Sequence, residues 1–436
     1  MSNIQVTHSA SPDNARSESS VVINPSNPTQ IVAASKKFRN IQTYDFTLAT
    51  SYSADGGLSW NDSADLTLEG PGVTPFTMMT DPTLAWDNAG NVFLVGLTGN
   101  NPPTWDTVGI VIYKSTDGGR TWSAPQQIHA STGDDKQWAA GDGHPASPHY
   151  GNVYAVWDDL NAGGMAFART LDHGATWIGP GTDAPGSIVL AGTVFPEIDV
   201  SDDGTVYVAS MAGSEVAMIA STDGGESFHS IAPAATGIST LENSSLPTAG
   251  GFPIFPGGNF RVLTDPTASA SGTTVTVAWA DFRENVSRIY YAQSTDGGAS
   301  WWTGPSGRPL LTDDISANMQ HFHPRLVTDP NGVIGCALYE FGPKPTTPLI
   351  DVIMAQSIDR GASFDHSIVT DRPWDPKVDA PLSHGDPTVT FIGDYFGLDA
   401  DTRGFHPLWT DTRTGIQELW TDIVPAKSPN GSAGMR

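Results

Sequence analysis

Three segments of this 436-residue chain bring acid–base and charge-binding residues together in arrangements that occur once each. His321-Phe-His-Pro-Arg325 sets two imidazoles and a guanidinium at alternate positions. Phe391-Ile-Gly-Asp-Tyr395 places a carboxylate beside a phenol, and Lys36-Lys-Phe-Arg39 gathers three cations. On a regular strand alternate residues share a side, so His321 and His323 are expected to face together. There they could bind a metal with a carboxylate, or one could act as an acid or base. A guanidinium can grip a carboxylate through two parallel hydrogen bonds, which makes Arg39, Arg261, Arg283, Arg325 and Arg413 candidate holders of an anionic group. The pattern Trp-x-Asp-x-Arg occurs at Trp279–Arg283 and Trp409–Arg413, with Trp157-Asp-Asp as a partial third. A pattern that recurs along a chain also reads as a structural brace between neighbouring units. The turn Asp199-Val-Ser-Asp-Asp-Gly resembles part of a calcium loop, but Ser210 stands where the closing Glu belongs, so a plain turn is the better reading.

The elements that must position these residues follow from an internal repeat. Ser53-Ala-Asp-Gly-Gly-Leu-Ser-Trp60 returns at Ser115–Trp122, Thr170–Trp177, Ser221–Phe228, Ser294–Trp301 and Ser357–Phe364. Its Asp can accept backbone N–H groups inside a hairpin turn. Its fifth position, always Gly, can take a positive φ, and its aromatic residue packs between neighbouring sheets. A second repeat lies upstream of each copy, as in Asp81-Pro-Thr-Leu-Ala-Trp-Asp-Asn-Ala-Gly-Asn-Val-Phe and Pro324-Arg-Leu-Val-Thr-Asp-Pro-Asn-Gly-Val. Each reads as strand, tight turn, strand, and an alternating strand such as Arg288-Ile-Tyr-Tyr-Ala-Gln leads into the next Asp-centred turn. One unit is therefore four antiparallel strands, a propeller blade.

Six units end in the Asp-centred turn. A seventh begins near Asp386, lacks that turn and has three strands; the alternating segment Ile4-Gln-Val-Thr-His supplies the fourth. The expected fold is all-β: a seven-bladed β-propeller of four-stranded antiparallel blades closed by an N-terminal strand, with six blades as the alternative. The propeller is expected to fill residues 1–425 as one domain, with 426–436 as a disordered tail.

The repeat Ser/Thr-x-Asp-x-Gly-x-Ser/Thr-aromatic resembles the Asp box of the sialidase-like (BNR-repeat) β-propeller superfamily. That resemblance implies ligand sites on the face opposite the boxes, over the central channel. It implies a clamp of three Arg for a substrate carboxylate, a Tyr–Glu pair as nucleophile and an Asp as acid/base. Carried onto this chain, Tyr395 takes the Tyr role, with Glu197 or Glu340 to activate it and Asp81 among the candidate catalytic carboxylates. Arg39, Arg261 and Arg325 form the clamp, with Arg283 and Arg413 in reserve. Trp105, Trp138 and His321 are candidate substrate-binding residues. His323 joins the catalytic candidates, because seven-bladed lyases of uronic acids use His and Tyr. The sequence departs from the sialidase pattern at Phe38-Arg-Asn-Ile, which has the Arg of the Arg-Ile-Pro motif without its Pro. The expected activity is an exo-acting glycosidase on a sialic- or uronic-acid glycan; a non-catalytic glycan-binding propeller and a uronate lyase are the alternatives.

Composition narrows the partners. The net charge is −26, and Asp rather than Glu supplies most of the acids. A duplex nucleic acid needs Lys and Arg to displace its counterions, and anionic membrane surfaces are disfavoured on the same ground. No run of apolar residues is long enough to span a bilayer. The expected partner is an acidic oligosaccharide, bound by a monomer without a cofactor or metal. The lone Cys336 lies in an apolar run and reads as a buried structural thiol. The first residues lack the basic and apolar regions of a signal peptide, so an extracellular or periplasmic location implies a leader absent from this chain; a cytoplasmic one is the alternative.

Overall fold

The computed structural model describes residues 2–8, 14–100, 105–312 and 319–428. Its seven four-stranded antiparallel sheets are the blades of a β-propeller. The innermost strands are Arg16–Ile23, Met78–Trp86, Asp134–Gly141, Val194–Val200, Thr267–Ser271, Gln320–Thr328 and Gly397–Asp401. Each contacts the next around the axis, and the seventh contacts the first, so the ring is closed. Ile4–Gln5 pairs with Glu418–Thr421 and becomes the outer strand of blade seven, joining the two ends of the chain as expected. A three-residue 3-10 turn lies at Ser383–Gly385.

Alternation decides which side chains fill the space between blades. Middle strands such as Val92–Gly99 and Val153–Asp159 are buried along their whole length because both faces are covered. Cys336 sits in such a strand, and burial pushes its thiol far up. The Asp-centred turns have one geometry throughout. In the first, Asp55 accepts from Ser59 N–H at 2.9 Å and from Ser59 Oγ at 2.6 Å, while Ser53 Oγ accepts from Gly57 N–H at 2.8 Å. In the fifth, the hydroxyls of Ser300 and Ser294 lower the Asp296 carboxyl to about 2. The turn glycine meets both of its requirements at Gly119: φ is +84°, and a Cβ there would lie 2.5 Å from Val32 of the preceding blade.

The innermost strands face the channel with unpaired N–H groups, an edge that must be satisfied. Side chains of the neighbouring blade do this. Ala139 N–H donates to Thr83 Oγ1 (3.1 Å), Ala268 N–H to Glu197 (3.1 Å), Ala270 N–H to Asp199 (2.8 Å), Leu326 N–H to Thr267 Oγ1 (3.0 Å) and Ile23 N–H to Asp399 (2.6 Å). Asp199 is thus tied into the blade interface.

Blade seven begins later than the sequence suggests. Residues 379–394 form no ladder; Asp386-Pro-Thr is a tight turn, with Thr388 N–H on Asp386 at 2.8 Å. Proline removes a donor and turns the chain, so this segment lies across the mouth of the channel. It is fixed there by Leu382 N–H to Ile41 O (2.8 Å) and Thr390 N–H to Asn259 O (2.9 Å). At the C-terminus, Lys427 N–H donates to Gln356 at 2.8 Å, and residues 429–436 lie outside the described set. Among the described residues no helix is long and apolar enough to cross a membrane.

Candidate functional site

A single structural device, repeated from blade to blade, builds the site. Five innermost strands carry a β-bulge near their start: Ser17/Ser20, Thr80/Thr83, Asp135/Trp138, Val194/Glu197 and Phe322/Arg325. In each, the residue two before the resumed ladder has a positive φ: Glu18 (54°), Asp81 (55°), Lys136 (52°), Phe195 (59°) and His323 (46°). Asp265 and Tyr395 hold the same position in blades five and seven, two residues before Thr267 and Gly397. A bulge re-aims a side chain, and non-glycine residues in the left-handed region concentrate at functional sites. One position per blade thus delivers three carboxylates, a lysine, an imidazole, a phenol and a phenyl ring to the axis.

These groups and their neighbours interact closely. Lys36 Nζ pairs with Glu18 at 2.9 Å. Tyr395 OH donates to Asp81 Oδ2 at 2.9 Å, and Thr80 Oγ1 donates to Asp81 Oδ1 at 2.6 Å. Asp394 is held by Arg261 through Nε (3.1 Å) and a terminal nitrogen (2.6 Å), and by Lys136 Nζ at 2.9 Å. The Lys136 ammonium also lies 4.6 Å from the centre of the Tyr395 ring, a favourable cation–π distance.

Burial governs the electrostatics. Burial opposes ionisation of Asp394, but the charges of Arg261 and Lys136 and their hydrogen bonds hold it far below the usual carboxylate range. Tyr395 is pushed well above a normal phenol by burial, then by Asp81, Asp265, Glu18 and Asp135, so it keeps its proton. Burial raises Asp265 to about 7 and Asp158 to about 8, and lowers His323 to about 4.

The sequence candidates divide in two. Tyr395, Asp81, His323 and Arg261 come together at the axis. Trp138 lies beside them, 5.7 Å from the Tyr395 ring and 4.2 Å from the Arg325 guanidinium. Arg325 is ion-paired with Glu197, which also accepts from Thr267 Oγ1 at 3.0 Å. The partner of the Tyr395 hydroxyl is Asp81 rather than Glu197 or Glu340, the two expected to activate it. Glu340 binds His321 (3.2 Å) and Lys344 (2.7 Å). The two imidazoles do not face together: the bulge at His323 breaks the alternation, sending His321 to Glu340 and His323 to the axis.

Arg39, Arg283 and Arg413 are placed away from the ring. Arg39 binds Asp45 (2.6 Å) and the Thr77 carbonyl (2.9 Å). Arg283 pairs with Asp281, which accepts from Trp279 Nε1 at 3.1 Å. Arg413 repeats this with Asp411 (2.6 Å) and Trp409. Within a blade, Trp-x-Asp-x-Arg is therefore a clasp; at the partial third copy, Trp157 Nε1 donates to Asp134 at 3.0 Å instead. Trp105 belongs to the cover, where the exposed His384 ring lies 5.6 Å from it, 5.6 Å from Phe252 and 5.0 Å from Tyr44.

Sequence reasoning missed Glu18 and Asp265 as members of the ring. A signal existed: Asp81, Phe195, Asp265 and His323 each precede a Pro at the start of an innermost strand. Among the described residues, the one group of His and Asp close enough for a shared metal is His129, Asp134 and Asp159. Its atoms are occupied by His129–Asp134 (2.8 Å), Trp157–Asp134 and Ser131–Asp159 (3.1 Å) contacts. On the opposite side of the ring, the channel forms a cavity of about 610 Å³ lined by Ser20, Trp138, Asp199, Arg325 and Asp399 among others.

These buried groups set the expected pH dependence. Asp158, Asp265 and Asp399 (about 6) are raised by burial above their unfolded values, which lie near about 4. The folded state therefore binds more protons between those limits, and these acids contribute less stability as pH rises from about 4 to about 8. His323, lowered to about 4 by burial, acts oppositely and reduces stability as pH drops below about 6.5. Urea midpoints are expected to fall from about pH 6 to about pH 8. Each acid that is protonated only in the folded state contributes at most roughly 1.4 kcal/mol of that fall per pH unit. A midpoint that rises from pH 6 to 8 would contradict the burial assigned to these acids.

No family model matches the chain. Over 239 residues it is 29% identical to a curated sialidase of Micromonospora viridifaciens, a match that covers 48% of this chain and 35% of that protein. The chain thus spans about a third of the length of the relative it matches. Among solved structures, a protein of unknown function from Dyadobacter fermentans has a TM-score of 0.54 at 12% identity, covering 98% of this chain and 99% of that one. A Hadza microbial sialidase, Hz136, has a TM-score of 0.49 at 14% identity, covering 97% and 68%. This chain is a seven-bladed propeller that resembles a sialidase in sequence over about half its length.

Proposed function

We propose that this propeller is a carbohydrate-active enzyme, a sialidase-like glycosidase acting outside the cytoplasm on a glycan that bears a carboxylate. The observation that carries the reading is the axial Tyr395–Asp81 hydrogen bond beside two buried cations, Arg261 and Lys136, that already grip a carboxylate. A phenol with an adjacent proton acceptor is a reacting group, and a guanidinium with an ammonium is a holder of sugar acids. The partial likeness to a sialidase, and the reading of the six Asp-centred turns as Asp boxes, support the same class. In this assignment Tyr395 supplies the reacting hydroxyl, Asp81 holds its proton, and Arg261 and Lys136 orient the carboxylate. Residues 1–425 act as one domain.

The carboxylate in that grip belongs to the chain itself, and residues 379–394 cover the mouth. This favours one second reading, a glycan-binding propeller without turnover. A panel of sialylated and uronate glycans, assayed for released reducing sugar and for ultraviolet-absorbing unsaturated product, separates them. Released sugar supports the glycosidase. Unsaturated product moves the assignment to a lyase, and binding on a glycan array without product moves it to the second reading.

A further inference from the structure

Most carboxylates around the axis have their oxygens engaged. Glu18 is bound through one oxygen, Oε2, to Lys36 and Thr80, while Asp81 is bound to Tyr395 and Thr80 and Asp394 to Arg261 and Lys136. Asp265 differs. Among the described residues it is the one carboxylate with both oxygens buried and without a hydrogen-bond partner, and Lys136 Nζ stays 4.0 Å away. His323 is the corresponding imidazole: 4% exposed, with both ring nitrogens buried and unpaired. A buried polar group left without a partner costs about 1–3 kcal/mol, so two such residues on one wall need an explanation.

Both residues line one cavity of about 20 Å³, bordered also by Tyr395, Asp394 and the Glu197–Arg325 pair. A buried water needs roughly 10–15 Å³ of such space and two to four polar partners. The cavity supplies both.

We propose that Asp265 and His323 form a second proton-handling pair, acting on a water molecule held in the cavity between them. The pair sits in adjacent blades at the same repeated position, so the fold fixes the two groups against each other. The water's O–H bond breaks, its proton bonds to a His323 nitrogen or an Asp265 oxygen, and the oxygen keeps the electron pair that a substrate would receive. Asp265, raised to about 7 by burial, exchanges its proton near neutrality, where acid–base catalysis is most effective. His323, lowered by burial, stays neutral and free to accept. The charged groups acting on the two are Lys136, Arg261, Asp394, Asp81 and Glu242. The catalytic consequence rests on the glycosidase reading; the water site does not.

Three measurements test it. A crystal structure of the full chain at atomic resolution should show a water within hydrogen-bond distance of an Asp265 oxygen and a His323 nitrogen; an empty cavity overturns the proposal. Nitrogen-15 shifts of the His323 ring should report a change of tautomer or hydrogen bonding in Asp265→Asn, and identical shifts overturn it. On any acidic glycan that the wild type turns over, Asp265→Asn should lower kcat at least tenfold and flatten one limb of the pH profile. A wild-type profile retained in that variant overturns the proton-handling role. If no glycan is turned over, the glycosidase reading falls, and the first two measurements still decide the pair.

Discussion

Asp394→Ala is expected to destabilise the fold by about 3–5 kcal/mol, the loss seen when one partner of a buried ion pair is removed. Asp394 is 2% exposed and lies between Arg261 and Lys136, themselves 7% and 8% exposed. Alanine leaves two buried cations without their counter-charge. The remaining carboxylates near them are already bound or, like Asp265, favour the neutral form. The urea midpoint reads the loss. Asp394→Asn keeps the shape and removes the charge, so a similar fall in that variant separates electrostatics from packing. Formate or acetate should partly restore the Asp394→Ala midpoint in a saturable way, because a ligand that binds only the folded state stabilises it by RT ln(1 + [L]/Kd). Rescue by a small carboxylate, with none by chloride at equal ionic strength, would show that the two cations form a carboxylate site the chain fills itself. An unchanged midpoint in both variants would remove Asp394 from the structural account of the axis.

How much of this was legible in the sequence depends on the type of signal. Repeats report architecture well, because every blade must solve the same turn and the same inter-blade packing. The Asp-centred turns and the missing seventh copy therefore led to the blade count and to the closing strand at Ile4–Gln5. The site was legible only where a residue sits at the repeated position with an unusual type, as with Asp81, His323 and Tyr395. Side-chain direction was lost where the backbone leaves the regular strand. Alternation placed His321 beside His323, and a bulge of the kind found in five blades separated them. Arginines were over-assigned because type says nothing about distance: Arg283 is taken up by Asp281 of its own blade, and Arg413 by Asp411 of its own blade and by Asp371, which follows blade six. The cover was invisible because Val389-Thr-Phe-Ile392 reads as a strand, whereas the segment is held across the channel through single bridges rather than a ladder.

Tyr395→Phe is expected to lower kcat by about 10²–10⁴ on any glycan the wild type processes, the range for losing a group that moves a proton in the transition state. The substitution is well suited to this question. The ring keeps its contacts with Trp138 and Lys136, and one hydrogen bond, to Asp81, is lost. Stability should therefore change little, so a fall in rate cannot be traced to unfolding. The environment also limits what the hydroxyl can do. With its proton held far more tightly than in a free phenol, Tyr395 reacts either by donating that proton or by passing it to Asp81 as the oxygen attacks. The second route needs Asp81 as the acceptor, so on that route Asp81→Asn should reproduce the loss, and the double variant should lose little more than either alone, as expected of residues acting as a unit. KM should stay within a few-fold, since the substitution leaves Arg261 and Lys136, the proposed carboxylate holders, untouched. A raised KM with kcat intact would make Tyr395 a binding residue, and rates within threefold of wild type in both variants would place the chemistry elsewhere.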